Sequence, residues 1–99
     1  MIDRTNVRYP VGEIDIIARE RGTLCFIEVR SVTSGVFGGA AASVTPEKQR
    51  RIIRAAQWYL SRRPPAGPVR FDVVAVDWIG GRANLELIRG AFEAPAPGG

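Results

Sequence analysis

The sequence predicts a mixed α/β domain, a β-sheet with one principal helix in the order β-β-α-β-β. Three observations predict it. Residues 12–18 and 23–30 are rich in β-branched and aromatic side chains and are separated by a short turn carrying Gly22. Residues 69–78 and 84–89 form a second such pair around Gly80-Gly81. Between the pairs lies a single stretch of helical periodicity.

Each element has its own reason. Residues 12–18 alternate weakly, Arg19-Glu20-Arg21-Gly22 is a turn, and 23–30 has strong β-propensity. Residues 31–42 hold Gly35, Gly38, Gly39 and three consecutive alanines, which reads as a small-residue loop with close backbone approach. Thr45-Pro46-Glu47 starts a helix: Thr caps, Pro takes the first helical position, and an acid sits in the first turn. Ile52, Ile53, Ala56, Tyr59 and Leu60 then give one buried stripe, and the helix stops before Pro64-Pro65. In 69–78, Phe71, Val73 and Ala75 alternate with Asp72, Val74 and Val76, and 84–89 returns as a fourth strand. Residues 1–93 form one domain, and 94–99, rich in Pro and Gly, form a disordered tail.

Composition narrows the chemistry. In 99 residues there is no His, which excludes His-ligated zinc and Ser-His or Cys-His catalysis from within this chain. Any metal must be held by oxygen, which points to magnesium or manganese. Cys25 is the lone cysteine and forms no intramolecular disulfide, so a reducing cytoplasm is the expected setting; an inert buried thiol and a reactive one are its two readings. No apolar run approaches the ~20 residues of a membrane helix, and the N-terminus has no signal-peptide pattern. The net charge is +4, and 13 of the 14 basic residues are Arg, the side chain suited to bidentate phosphate contacts.

Carboxylates inside otherwise apolar strands carry the sharpest signal. Glu13 and Asp15 share one strand face, as do Glu28 and Arg30. If the turn at 19–23 closes a hairpin, Asp15 and Glu28 lie side by side with Arg30 next to them. Two adjacent carboxylates repel unless a divalent cation sits between them, and such a cation orients and acidifies a water beside a phosphate. Arg30 neutralises charge on the phosphorane and cannot act as a base. The bland reading is a surface ion pair between Arg30 and Glu28 or Asp15.

The helix adds Lys48, Arg50, Arg51, Arg54, Arg62 and Arg63 against only Glu47. Lys48, Arg50, Arg51, Arg54 and Arg62 are the candidate phosphate contacts, set against a solvated helix face. Six phosphate contacts, one from each basic residue of this segment including Arg63, would weaken binding on the order of 10³-fold between 50 and 200 mM salt. Glu13 and Gln49 are candidates to support the site from behind, and Asp72 to support Arg70 or the site, with an outward, solvated Asp72 on an edge strand as the alternative. Trp58, Tyr59 and Trp78 are either base-stacking or core residues.

Four segments carry a resemblance: Val11-Gly12-Glu13-Ile14-Asp15-Ile16-Ile17-Ala18, Phe26-Ile27-Glu28-Val29-Arg30-Ser31, Phe37-Gly38-Gly39-Ala40-Ala41-Ala42-Ser43-Val44-Thr45 and Arg70-Phe71-Asp72-Val73-Val74. Together they resemble the YraN family of predicted endonucleases, in the PD-(D/E)xK nuclease superfamily and similar to archaeal Holliday junction resolvases. The match runs from about Asn6 to Phe92. It implies a restriction-endonuclease-like fold, magnesium or manganese held by Asp15, Glu28 and the Val29 carbonyl, Arg30 at the superfamily's lysine position, and branched DNA as substrate. Members usually begin with a helix before the first strand. Here residues 1–5 are only long enough for a strand leading into Asn6-Val7-Arg8-Tyr9. The expectation is a missing N-terminal helix and a bare apolar sheet face, covered by a second copy or a partner protein. The competing expectations are a DNA-binding module that does not cleave and a protein-interaction subunit.

Overall fold

A computed structural model describes residues 1–94. Five strands, β1 (Ile2–Tyr9), β2 (Gly12–Glu20), β3 (Thr23–Val32), β4 (Val69–Ile79) and β5 (Arg82–Phe92), form one sheet in the order of the chain. All neighbours are antiparallel except β3 and β4, which run parallel. A parallel pair needs a crossover, and α1 (Gly39–Ala42) and α2 (Pro46–Arg62) supply it. The mixed sheet with one main helix between the second and third predicted strands is the architecture expected.

Two elements exceed the expectation. β1 is a full strand, so the sheet has five strands where four were predicted. Its sequence is polar and mostly exposed, and as an edge strand it pairs one side of its backbone with β2, from Tyr9↔Gly12 to Ile2↔Ala18, and leaves the other to water. α1 interrupts the predicted loop. The predicted tail at 94–99 falls, beyond Ala94, outside the described residues.

α2 begins as its sequence dictates: the Thr45 hydroxyl accepts the Lys48 N–H, and Pro46 sits at the first position. Its buried face, Ile52, Ile53, Ala55, Ala56 and Tyr59, lies mainly over β2 and joins one core with Ile14, Ile17, Leu24, Phe26, Phe71, Val73 and Ala75 of the sheet. Phe26 packs edge-on to Tyr59 and stacks on Phe71. Fully burying a side chain such as Phe26 contributes about 1.5–3 kcal/mol.

The opposite face has no helix over it among the described residues. Across β3, β4 and β5 the register places Val29, Val74 and Leu87 in one row and Ser31, Val76 and Leu85 in the next. Val29, Leu85, Leu87 and Trp78 are exposed.

Candidate functional site

β2 sets up the site by leaving β3. Its ladder with β3 runs from Glu20↔Thr23 to Ile16↔Ile27 and ends there. Ile14 and Ile17, three apart, are both buried in the core under α2, which straight alternation forbids. The strand therefore departs from regular alternation between Ile14 and Ile17, opposite Asn6 of β1, whose φ is 51°. Where the next backbone bond would fall, the Val29 N–H donates to Asp15 Oδ2 at 2.8 Å.

This brings Asp15 to Glu28. A cavity of about 350 Å³ opens between the strands and α2, lined by Gly12, Glu13, Asp15, Glu28, Arg30, Lys48, Arg51 and Ile52. Burial pushes the half-buried Glu28 carboxyl up to about 8, the hydrogen bond to Asp15 and the repulsion between the two add to it, and Arg30 and Lys48 pull it back. Gly12 allows α2 this close: a Cβ there would stand 3.0 Å from the Arg51 carbonyl oxygen, and its φ is +155°.

The candidates divide as follows. Glu13, Asp15, Glu28, Arg30, Lys48 and Arg51 converge on the cavity. Val29 reaches the acids through its N–H. Glu13 also pairs with exposed Arg8 at 3.3 Å, and Arg51 with Glu47 at 2.9 Å. Arg50 and Arg54 extend from the outer face of α2 and do not line the cavity. Arg62 lies over the Trp58 ring, 3.1 Å from its centroid, away from the acids. Gln49 donates to the Val44 carbonyl at 3.1 Å and so serves the entry to α2. Of the three aromatics, Tyr59 is core, Trp58 packs edge-on against Tyr9, and exposed Trp78 donates from Nε1 to Ser31 Oγ.

Asp72 takes the reading in which it supports Arg70, and the solvated alternative is overturned. It is neither solvated nor on an edge strand, because β5 lies outside β4. Its carboxylate is buried on the face away from α2, where it accepts two bonds from Arg70 and one from the Gly90 N–H. Arg70 also reaches Glu20, which Arg89 joins, and these guanidiniums hold Glu20 down at about 2. This network ties β2, β4 and β5 together and leaves the cavity alone. Cys25 lies against Arg70, buried, with its thiol pushed up by that burial; the inert reading fits.

Two residues near the site were not singled out from the sequence. The Ser43 hydroxyl accepts from Arg30 Nε at 2.9 Å, and the buried Asp77 carboxylate accepts from the Gly38 and Ala40 N–H groups at 3.0 and 2.8 Å. Ser43 sits at the end of a quoted motif; Asp77 gave no signal beyond being an acid in an apolar strand.

A family model described as uncharacterised protein family UPF0102 matches residues 1–76, a span that contains every cavity residue. The chain belongs to this family. A UPF0102 protein of Desulfosudis oleivorans is 52% identical over 91 residues, covering 90% of this chain and 72% of the relative. One of Cupriavidus taiwanensis is 48% identical over 94 residues, 94% of this chain and 69% of the relative. One of Acidovorax sp. (strain JS42) is 54% identical over 84 residues, 84% of this chain and 61% of the relative. The chain thus spans 61% to 72% of the length of these UPF0102 proteins.

The UPF0102 cavity offers carboxylate oxygens from β2 and β3 with Arg30 beside them on β3, and Lys48 and Arg51 from α2. Among the described residues no three His, Cys, Asp or Glu side chains form a metal-binding group. Two carboxylates with no nitrogen or sulfur donor are the set a hard cation accepts when water completes its shell, which fits magnesium or manganese and not zinc.

Proposed function

We propose that this UPF0102 protein is a magnesium- or manganese-dependent endonuclease that hydrolyses phosphodiester bonds in DNA, with branched DNA as the preferred substrate by its resemblance to the YraN endonucleases of the PD-(D/E)xK superfamily. The observation that carries the reading is the pairing of Asp15 with Glu28 inside a cavity whose remaining charged wall is Arg30, Lys48 and Arg51. Asp15 and Glu28 would hold the cation, with the Val29 carbonyl as a further ligand implied by the resemblance. When bound, the cation supplies Lewis-acid polarisation of the phosphate and a water of lowered pKa.

The chain's own residues do the rest. To serve as a ligand, Glu28 would have to release to solvent the proton that burial and Asp15 help it keep. Arg30 stabilises the charge that grows on the phosphoryl oxygens, and because guanidinium does not deprotonate, it takes no part as a base. Lys48 and Arg51 sit where phosphates flanking the scissile one would pass, and Arg50 and Arg54 extend that basic track along the outer face of α2. The exposed guanidiniums favour one second reading, a DNA-binding module that does not cleave.

Incubating labelled single-stranded, duplex and four-way-junction DNA with manganese, beside Asp15→Asn, tests the proposal. Cleavage by the wild type that the variant loses is expected. Salt-sensitive binding without cleavage by either protein would favour the second reading. Equal cleavage by both would remove Asp15 from the site.

A further inference from the structure

Arg30 does not float in the cavity. Its Nε–H donates to Ser43 Oγ at 2.9 Å, and the Ser43 hydroxyl donates in turn to the Ala40 carbonyl at 2.6 Å. With its proton committed to Ala40, the Ser43 oxygen has only lone pairs to offer Arg30, so the direction of the bond is fixed. A guanidinium has five N–H donors; tying the one on Nε leaves the four on the two Nη atoms free and sets the plane of the fork.

Ser43 is itself held by buried groups. It follows α1, where Ala40 is fully buried against the sheet. The α1 amides at Gly38 and Ala40 end on the two oxygens of Asp77, which β4 carries into the same layer. Gly39 packs on Ser34 so tightly that a Cβ would collide with the Ser34 hydroxyl. A chain of contacts therefore runs from the sheet through the loop to the cationic wall of the cavity.

The geometry points to Ser43 as the positioning residue for Arg30: through the loop clamped by Asp77, it presents the two Nη groups to an anion in the cavity. The inference deepens the nuclease reading and rests on it for the identity of the anion. An untethered arginine has many rotamers, and ordering it at the moment of reaction would lower the rate without changing which substrates bind.

Nitrogen-15 spectra of the arginine Nε–H groups read the tether without any activity. Arg30→Lys assigns the resonance by deleting it. In the wild type it should exchange slowly with water; Ser43→Ala should speed exchange at least tenfold, and Ser43→Thr, which keeps the hydroxyl, should restore protection. In manganese-dependent cleavage Ser43→Ala should lower kcat at least tenfold with KM little changed, and Ser43→Thr should recover most of it. Rapid exchange at Arg30 in the wild type overturns the inference without any variant, as does a Ser43→Ala protein that cleaves at the wild-type rate. If the wild type cleaves nothing, the nuclease reading fails, and the exchange data alone decide the tether.

Discussion

Replacing Glu28 with glutamine should stabilise this protein, increasingly so as the pH rises. In the unfolded chain Glu28 loses its proton near 4.5; in the folded protein it holds it to about 8. Between those values the folded state binds the extra proton, so stability falls with rising pH across that window and reaches its full loss above it. At 1.36 kcal/mol per pH unit the span corresponds to about 5 kcal/mol for a dry site, and solvent reaching a half-buried carboxyl reduces this to about 2 kcal/mol. Glutamine keeps the shape and a donor toward Asp15 but never ionises.

Urea unfolding of both proteins from pH 5 to pH 9 with a chelator present provides the assay. The two stabilities should nearly coincide at pH 5 and differ by about 2 kcal/mol at pH 9, with Glu28→Gln the more stable. Manganese added at pH 8 should raise the wild type by about 2.7 kcal/mol at a hundredfold excess over its Kd and raise the variant much less. Two stability curves that stay parallel from pH 5 to pH 9 would mean that Glu28 meets the same surroundings folded and unfolded and holds no extra proton in the cavity.

Other perturbations follow from the same geometry. Gly12→Ala places a methyl 3.0 Å from the Arg51 carbonyl in mid-helix and should cost about 1–3 kcal/mol in urea unfolding. Asp77→Ala leaves the Gly38 and Ala40 N–H groups without their acceptor; a loss of about 2–4 kcal/mol and faster proteolysis at residues 33–38 are expected. Arg70→Ala strands the buried Asp72 carboxylate with only the Gly90 N–H, and should cost about 3–5 kcal/mol by the same measurement.

What the sequence shows and hides follows from the range of each interaction. α2 was readable because its cap, its proline and its stripe lie within 18 residues, Thr45 to Arg62. The β2–β3 and β4–β5 hairpins were readable because turn residues sit between alternating runs. β1 showed only as a length of chain that could hold a strand and stayed out of the strand order, because its side chains are largely solvated and its backbone partners lie on the next strand. α1 was not readable, because the acceptor for its first amides lies 37 residues away at Asp77. In the site, alternation paired Glu13 with Asp15 and Glu28 with Arg30, but it could not show which of the five candidate cations of α2 face them; Lys48 and Arg51 do, because the packing of α2 on β2 sets its rotation. Alternation also gave the face of Asp72. It could not show that Arg70 folds over that carboxylate and seals it from water.

The charges lining the cavity suggest an order of binding. Glu13, Asp15 and Glu28 face Arg30, Lys48 and Arg51, three of each sign. With all six ionised the cavity is neutral, and with Glu28 protonated it carries one positive charge. A divalent cation that displaces the proton brings the total to two. The gain of one charge about 6 Å from a phosphate is worth about 0.7–3 kcal/mol, depending on how much water screens it. DNA should therefore bind at least threefold more tightly with the cation present than with a chelator, measured by fluorescence anisotropy with calcium, which carboxylate oxygens also hold. Asp15→Asn, which removes a repelling charge and a ligand together, should bind DNA more tightly than the wild type in chelator and respond little to calcium. Equal wild-type affinity with and without the cation would mean that the acids do not govern the field the DNA meets, and that binding belongs to the outer guanidiniums of α2 alone.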